Sequence, residues 1–181
     1  MPLRVMFQDE ARFGRINAPR ACWAPRPLRP AVAAQAVRQY TYLYGAISPK
    51  DGLGAYLILP DMDTHCLQIF LDAVAARFRD EYIVMVFDGA PNHRSKTLKV
   101  PGNIKLVFLP PYSPELNPKE NLWDEIREKI FRNFALKSMK IVEQKLCDAV
   151  LYIQKNPELV RSITAFGYIS SLLKNPSQSS P

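Results

Sequence analysis

Apolar positions along this chain fall into two patterns. Short apolar runs bounded by polar residues predict strands at Leu3 to Gln8, Tyr40 to Ile47, Ala55 to Leu59, Tyr82 to Phe87 and Ile104 to Leu109. Tyr82 to Phe87 is apolar throughout, the pattern of a central strand covered on both faces. Ser48-Pro49-Lys50-Asp51-Gly52 joins the second and third runs and predicts a hairpin turn. Helical spacing takes over elsewhere. Leu67, Leu71, Val74 and Phe78 predict an amphipathic helix over Thr64 to Arg79, capped by Asp63 or Thr64. Leu122, Trp123, Ile126 and Ile130 predict a helix opened by Asn117, with Pro118 at its first position. Val142, Leu146, Val150 and Ile153 predict another over Ser138 to Lys155, and Pro157 to Leu173 a last, less regular one. Strands first, then strand–helix alternation, then helices, predict an α/β fold: a mixed sheet flanked by helices, with extra helices at the C-terminal end.

The remaining segments are set by proline and arginine. Residues 12–38 contain Pro19, Pro25, Pro27 and Pro30 and read as a long loop or irregular hairpin. Between Arg12 and Arg38 there are six arginines and no acid, within a chain of net charge +7. Such a stretch suits a polyanion, nucleic acid first, although a solvated face or a partner-docking face has the same composition. The 181 residues are 48% hydrophobic, enough for one globular domain without staples. No apolar run approaches the roughly 18 residues of a membrane span. Met1-Pro2-Leu3-Arg4 has neither an apolar segment nor a small-residue cleavage site, and is expected not to be a signal peptide. Cys22, Cys66 and Cys147 are odd in number and form no CxxC pair, so they predict neither a disulfide framework nor a cysteine zinc site. With His65 and His93 the only histidines, a metal here would be held by oxygen, which favours Mg2+ or Mn2+.

Three acids stand out by position. Asp9 and Asp88 each follow a predicted strand, and Glu120 lies in the first turn of a predicted helix. Ligands of open α/β sheets bind beyond the carboxyl ends of strands. If the two strands are parallel neighbours, their carboxylates lie side by side, and the helix can bring Glu120 over them. Three such carboxylates suit a pair of divalent cations. Singly, each acid has a structural reading: a turn or cap for the aspartates, and a capping box from Asn117 to Glu120 for the third.

Around these acids the chain resembles the mariner-type superfamily of DDE transposases, most closely its bacterial insertion-sequence branch. The likeness lies in Phe7-Gln8-Asp9-Glu10-Ala11-Arg12-Phe13-Gly14 with Cys22-Trp23-Ala24-Pro25-Arg26, in Val86-Phe87-Asp88-Gly89-Ala90-Pro91-Asn92-His93-Arg94-Ser95, and in the long run from Leu109-Pro110-Pro111-Tyr112-Ser113-Pro114-Glu115 to Leu116-Asn117-Pro118-Lys119-Glu120-Asn121-Leu122-Trp123. The resemblance implies a ribonuclease-H-like five-stranded core over 1–135 with a basic insertion at 12–38, a helical extension at 136–174 and a disordered tail at 175–181. It implies a catalytic and metal-binding triad of Asp9, Asp88 and Glu120 on Mg2+ or Mn2+. Water would cleave transposon-end phosphodiesters, and the freed 3′-hydroxyl would attack target DNA. It further implies a bacterial, cytoplasmic, nucleoid-associated protein, with a homodimer among its assemblies and no membrane partner. Family members carry N-terminal helix-turn-helix modules; this chain starts almost at the first catalytic strand, so end recognition is expected from a partner polypeptide or a fusion. An inactive, DNA-binding transposase remnant and a different ribonuclease-H-like nuclease are the rival readings.

Supporting residues follow from the same segments. Glu10 is an alternative ligand to Asp9, and Glu115 to Glu120. Arg12, Arg15, Arg20, Arg26, Asn92, His93, Lys96 and Lys119 are the DNA-contact candidates, with Lys99 beside them. His93 suits either a phosphate contact or a local helix-start hydrogen bond. Trp23 is expected to cap the core rather than stack on a base, and Trp123, on its apolar stripe, to pack.

If the arginine-rich stretch faces DNA, affinity for duplex DNA falls steeply as salt rises from about 50 to 200 mM, through counterion release. Fluorescence anisotropy across that range checks this, and a flat response removes the stretch from the DNA path.

Overall fold

A computed structural model describes residues 1–16, 23–31, 35–88, 97–110, 113, 116–167 and 169. Arg20, Asn92, His93, Lys96, Tyr112, Glu115 and the 175–181 tail lie outside them. Five strands form one mixed sheet: β1 (Leu3–Ile16), β2 (Ala36–Ile47), β3 (Gly54–Leu59), β4 (Tyr82–Phe87) and β5 (Ile104–Phe108), in the order β3-β2-β1-β4-β5. The β1–β2 and β2–β3 pairs are antiparallel, whereas β1–β4 and β4–β5 are parallel. Around it lie α1 (Thr64–Arg77), α2 (Lys119–Ile126), α3 (Met139–Lys155) and α4 (Pro157–Thr164).

The sheet buries both faces, and strand alternation decides which residue goes where. Met6, Tyr44, Ala46, Ile83, Met85 and Phe87 meet Leu67, Phe70, Leu71 and Val74 of α1. Phe7, Ala11, Phe13, Leu43, Ile47 and Val86 meet Leu122, Trp123 and Ile126 of α2, Val142, Leu146, Ala149 and Ile153 of α3, and Val160 of α4. The C-terminal helices therefore complete the same core as the sheet. Their inward stripe runs through Ala149, with Val150 only partly buried at its edge.

Local chemistry sets the helix ends. The Asp63 carboxylate accepts the Cys66 N–H at 2.7 Å and caps α1. Ser138 does the same for α3, accepting from Ile141 N–H. After α2 the chain widens into a π-helical turn, Arg127–Phe131, and Asn133 adopts the left-handed conformation (φ 57°) just beyond it.

The first strand is longer than its hydropathy predicts. It does not stop at Gln8 but runs to Ile16, paired with β2 as far as Ile16↔Ala36. The two ends of the 12–38 segment, residues 12–16 and 36–38, are thus paired arms of a hairpin, the second of the two readings its composition allows. Trp23 does not cap the core: it is fully exposed in the connection between β1 and β2, alongside exposed Arg26, Leu28 and Arg29.

At the N-terminal edge of the parallel pairs, Arg4 ties three elements together. Its Nε and Nη2 grip Glu81 at 2.7 and 3.0 Å, its Nη1 reaches Asp51 of the β2–β3 turn at 2.7 Å, and it stacks over Phe78. Arg4→Ala is expected to cost roughly 2 kcal/mol, less than the about 3–5 kcal/mol of a fully buried pair because Asp51 and Glu81 stay partly solvated. Urea denaturation measures it.

Candidate active site

The β1–β4 register positions the two aspartates. Leu3 pairs with Tyr82 and each following residue with the next, through Phe7 and Val86. Carried two residues further, this register sets Asp9 level with Asp88. Phe7 and Val86 share the face covered by α2, so alternation places both aspartates on that face too. Asp9 is not at the end of its strand, however. It lies within β1, just past the last pair with β4, where β1 continues against β2 alone.

The helix arrives on the same face through Asn117. This buried side chain donates from Nδ2 to the Gln8 carbonyl at 3.4 Å and accepts the Lys119 N–H at 3.1 Å. It fastens the start of α2 to the residue before Asp9. Because its oxygen takes the Lys119 N–H, the capping-box reading of Glu120 does not describe this turn. Glu120 is exposed, with its charge near enough to Asp9 to oppose ionisation there.

Asp9 itself is half-buried. Its Oδ1 accepts the Glu10 N–H at 2.9 Å, and its Oδ2 accepts the Trp123 indole N–H at 2.9 Å. Burial pushes its carboxyl well above the usual carboxylate range, and the charges of Glu10 and Glu120 add to that; the indole N–H and Lys119 act the other way.

Lys119 departs from its expected role. It is fully buried, so in this structure it does not line a DNA path. Its Nζ sits 3.9 Å from the centre of the Trp123 ring and 5.1 Å from that of Tyr56, and it makes no hydrogen bond among the described residues. Burial pulls its pKa down while Asp9 and Glu10 pull it up. Gly45, the β2 partner of Asp9, makes the room: a Cβ there would run into Lys119 Nζ and lie 3.1 Å from both Trp123 and Tyr56. Hydropathy alone assigned Trp123 to packing and gave no hint of its polar bond. A Lys and an Asp near one buried indole is a tertiary feature.

Other candidates are dispersed. Arg12 is exposed and stacks over Tyr40; Arg15 is held by the Leu136 carbonyl at 2.9 Å and Gln39 at 2.7 Å. Arg26 is exposed, and the Lys99 N–H is bonded to Gln68. Glu10 receives the Gln8 amide at 2.8 Å.

A mixed β3-β2-β1-β4-β5 sheet with flanking helices defines a ribonuclease-H-like fold. The fold matches that of Mos1 transposase in its strand transfer complex (TM-score 0.59, 18% identity, covering 90% of this chain and 54% of that one). It also matches the Mos1 mariner paired-end complex with Mn (TM-score 0.60, 16% identity, covering 98% and 57%). The chain thus spans a little over half the length of those solved chains. It is 38% identical over 125 residues to the uncharacterized protein y4pE/y4sA of Sinorhizobium fredii, covering 68% of this chain and 93% of that protein. Residues 4–142 match the DDE superfamily endonuclease family, and the chain belongs to it. Among the described residues, no helix is long and apolar enough to cross a membrane.

Gly45→Ala is expected to destabilise the fold by about 1–3 kcal/mol, because the new methyl overpacks Trp123 and Tyr56 and displaces Lys119. A drop in Tm of the purified chain checks this.

Proposed function

We propose that this chain is the catalytic domain of a transposase, cutting phosphodiesters at transposon ends and joining the freed 3′-hydroxyl to target DNA with Mg2+ or Mn2+. The observation that supports it most is the parallel β1–β4 pairing, which runs to Phe7↔Val86, two residues before Asp9 and Asp88, with α2, the helix that carries Glu120, packed on the same face as Phe7 and Val86. The donors are hard carboxylate oxygens, the type such cations take, and a cation would relieve the burial and the neighbouring Glu10 and Glu120 charges that oppose ionisation of Asp9. Among the described residues, no three His, Cys, Asp or Glu side chains form a metal-holding group; here Asp9 is served by the Trp123 N–H and Lys119 instead. In this reading Asp9, Asp88 and Glu120 hold the cations. When bound, these supply Lewis-acid stabilisation of the attacking and leaving oxygens.

The chain's own residues hold and orient the DNA. Arg12 and Arg26 offer exposed guanidiniums for phosphates, and Arg20, Asn92, His93 and Lys96, which lie outside the described residues, are the further phosphate contacts proposed from the sequence. No side chain serves as nucleophile. A helix-turn-helix polypeptide or fusion reads the ends, a second copy completes the assembly, and the protein works at the bacterial nucleoid.

Asp88→Asn separates this reading from a DNA-binding remnant. Mn2+-dependent nicking of labelled duplex is expected to fall by roughly 10²–10³-fold while metal-free DNA affinity stays at the wild-type level. A wild-type chain that does not nick, or a variant that nicks equally well, overturns the catalytic reading.

A further inference from the structure

We propose that Trp123 is the positioning residue of this site: its indole N–H sets the direction in which the Asp9 carboxylate faces. The inference rests on reading Asp9 as a metal ligand. The Glu10 N–H that meets Oδ1 comes from the adjacent residue and holds one oxygen only, so it does not by itself set the plane of the carboxylate. The second donor, Trp123 Nε1, comes from 114 residues away on another element and fixes the plane of the group. A donor can do this only if it is itself immobile. Trp123 is 1% exposed, meets Phe13 edge-on and has Lys119 Nζ lodged 3.9 Å from its ring centre. The ring thus touches a carboxylate at its N–H edge and an ammonium on its face, both favourable for an indole.

Gly45 shows that this arrangement is built rather than incidental. It lies across from Asp9 and is the position where any side chain would collide with Lys119 and crowd Trp123. The vacancy at Gly45 admits Lys119 Nζ against the face of Trp123, and the acceptor that a buried indole N–H requires is here a carboxylate rather than a neutral carbonyl. Asn117 and Lys119 bracket the start of α2, so the elements that carry Glu120 also carry the group that aims Asp9. Hydrogen-bonded partners of this kind fix the orientation of metal-ligating carboxylates, and their loss weakens metal binding about 10–100-fold.

The test has a metal-free arm and a metal arm, both on the full chain. The chain has two tryptophans, and Trp23 is fully exposed, so the exchange-protected indole N–H signal in a 15N spectrum belongs to Trp123. Asp9→Ala is expected to shift that signal and speed its exchange. Mn2+ binding, followed by electron paramagnetic resonance, is expected to weaken about 10–100-fold in Trp123→Phe. The β-(3-benzothienyl)alanine replacement at this position, which keeps the bicyclic shape and swaps N–H for sulfur, should behave alike if the smaller ring fails to fold. A folded donor-free variant with wild-type Mn2+ affinity, alongside an Asp9→Ala variant that has lost it, overturns the positioning role alone. An indole signal indifferent to Asp9→Ala overturns the hydrogen bond. If Asp9→Ala shifts the indole but leaves Mn2+ binding intact, Asp9 is not a ligand, and the catalytic reading falls together with the positioning role.

Discussion

The parallel pairing of β1 with β4 is the constraint on which the rest of this molecule depends. Parallel strands need a crossover, here supplied by the β2–β3 hairpin and α1, and the crossover covers one face of the sheet. The same pairing fixes register, and a one-residue slip would send every side chain of a strand to the opposite face. Asp9 would then point at α1 and Met6 at α2. Apolar burial on both faces, from Met6, Met85 and Phe87 on one side and Phe7 and Val86 on the other, forbids that slip. Core packing and acid placement are one decision in this fold.

The cost of that decision is a carboxylate withdrawn partway from water beneath α2. A carboxylate removed from water is destabilised unless something compensates. Around Asp9 the compensation is distributed: one backbone N–H, one indole N–H and an ammonium that itself lacks a hydrogen bond among the described residues. Lys119 shares the problem, since its own charge is buried over two aromatic rings. Each group makes the other tolerable, and the aromatic walls keep water from screening them. A site arranged this way holds its carboxylate under tension, in keeping with the metal-ligand role proposed for Asp9.

Most of the fold is legible in the chain because periodicity reports burial directly. The α1 stripe of Leu67, Leu71, Val74 and Phe78 is buried as its spacing predicts, and the uninterrupted apolar run of β4 is an interior strand. The signal weakens where one face of a strand is polar. From Asp9 to Ile16 the inward residues Ala11 and Phe13 alternate with Glu10, Arg12 and Gly14, and the arginines and prolines beyond obscure a strand that continues unbroken. Trp23 shows the opposite error: an indole is read as buried by default, but nothing in local sequence says whether a partner surface reaches it.

What the sequence by itself determined was chemistry in kind: hard acids beside apolar runs, a proline-set helix start at Asn117, a basic arm, and the motifs that resemble the family. These depend on residue type and short-range spacing, which a linear chain displays. What only tertiary structure decided was proximity across long separations. The bond between Asp9 and Trp123, the burial of Lys119 and the vacancy at Gly45 arise from elements far apart in the chain. They exist because β2 and α2 converge on the same few ångströms of β1, and hydropathy, which counts water lost by each residue, carries no record of which neighbour replaced it.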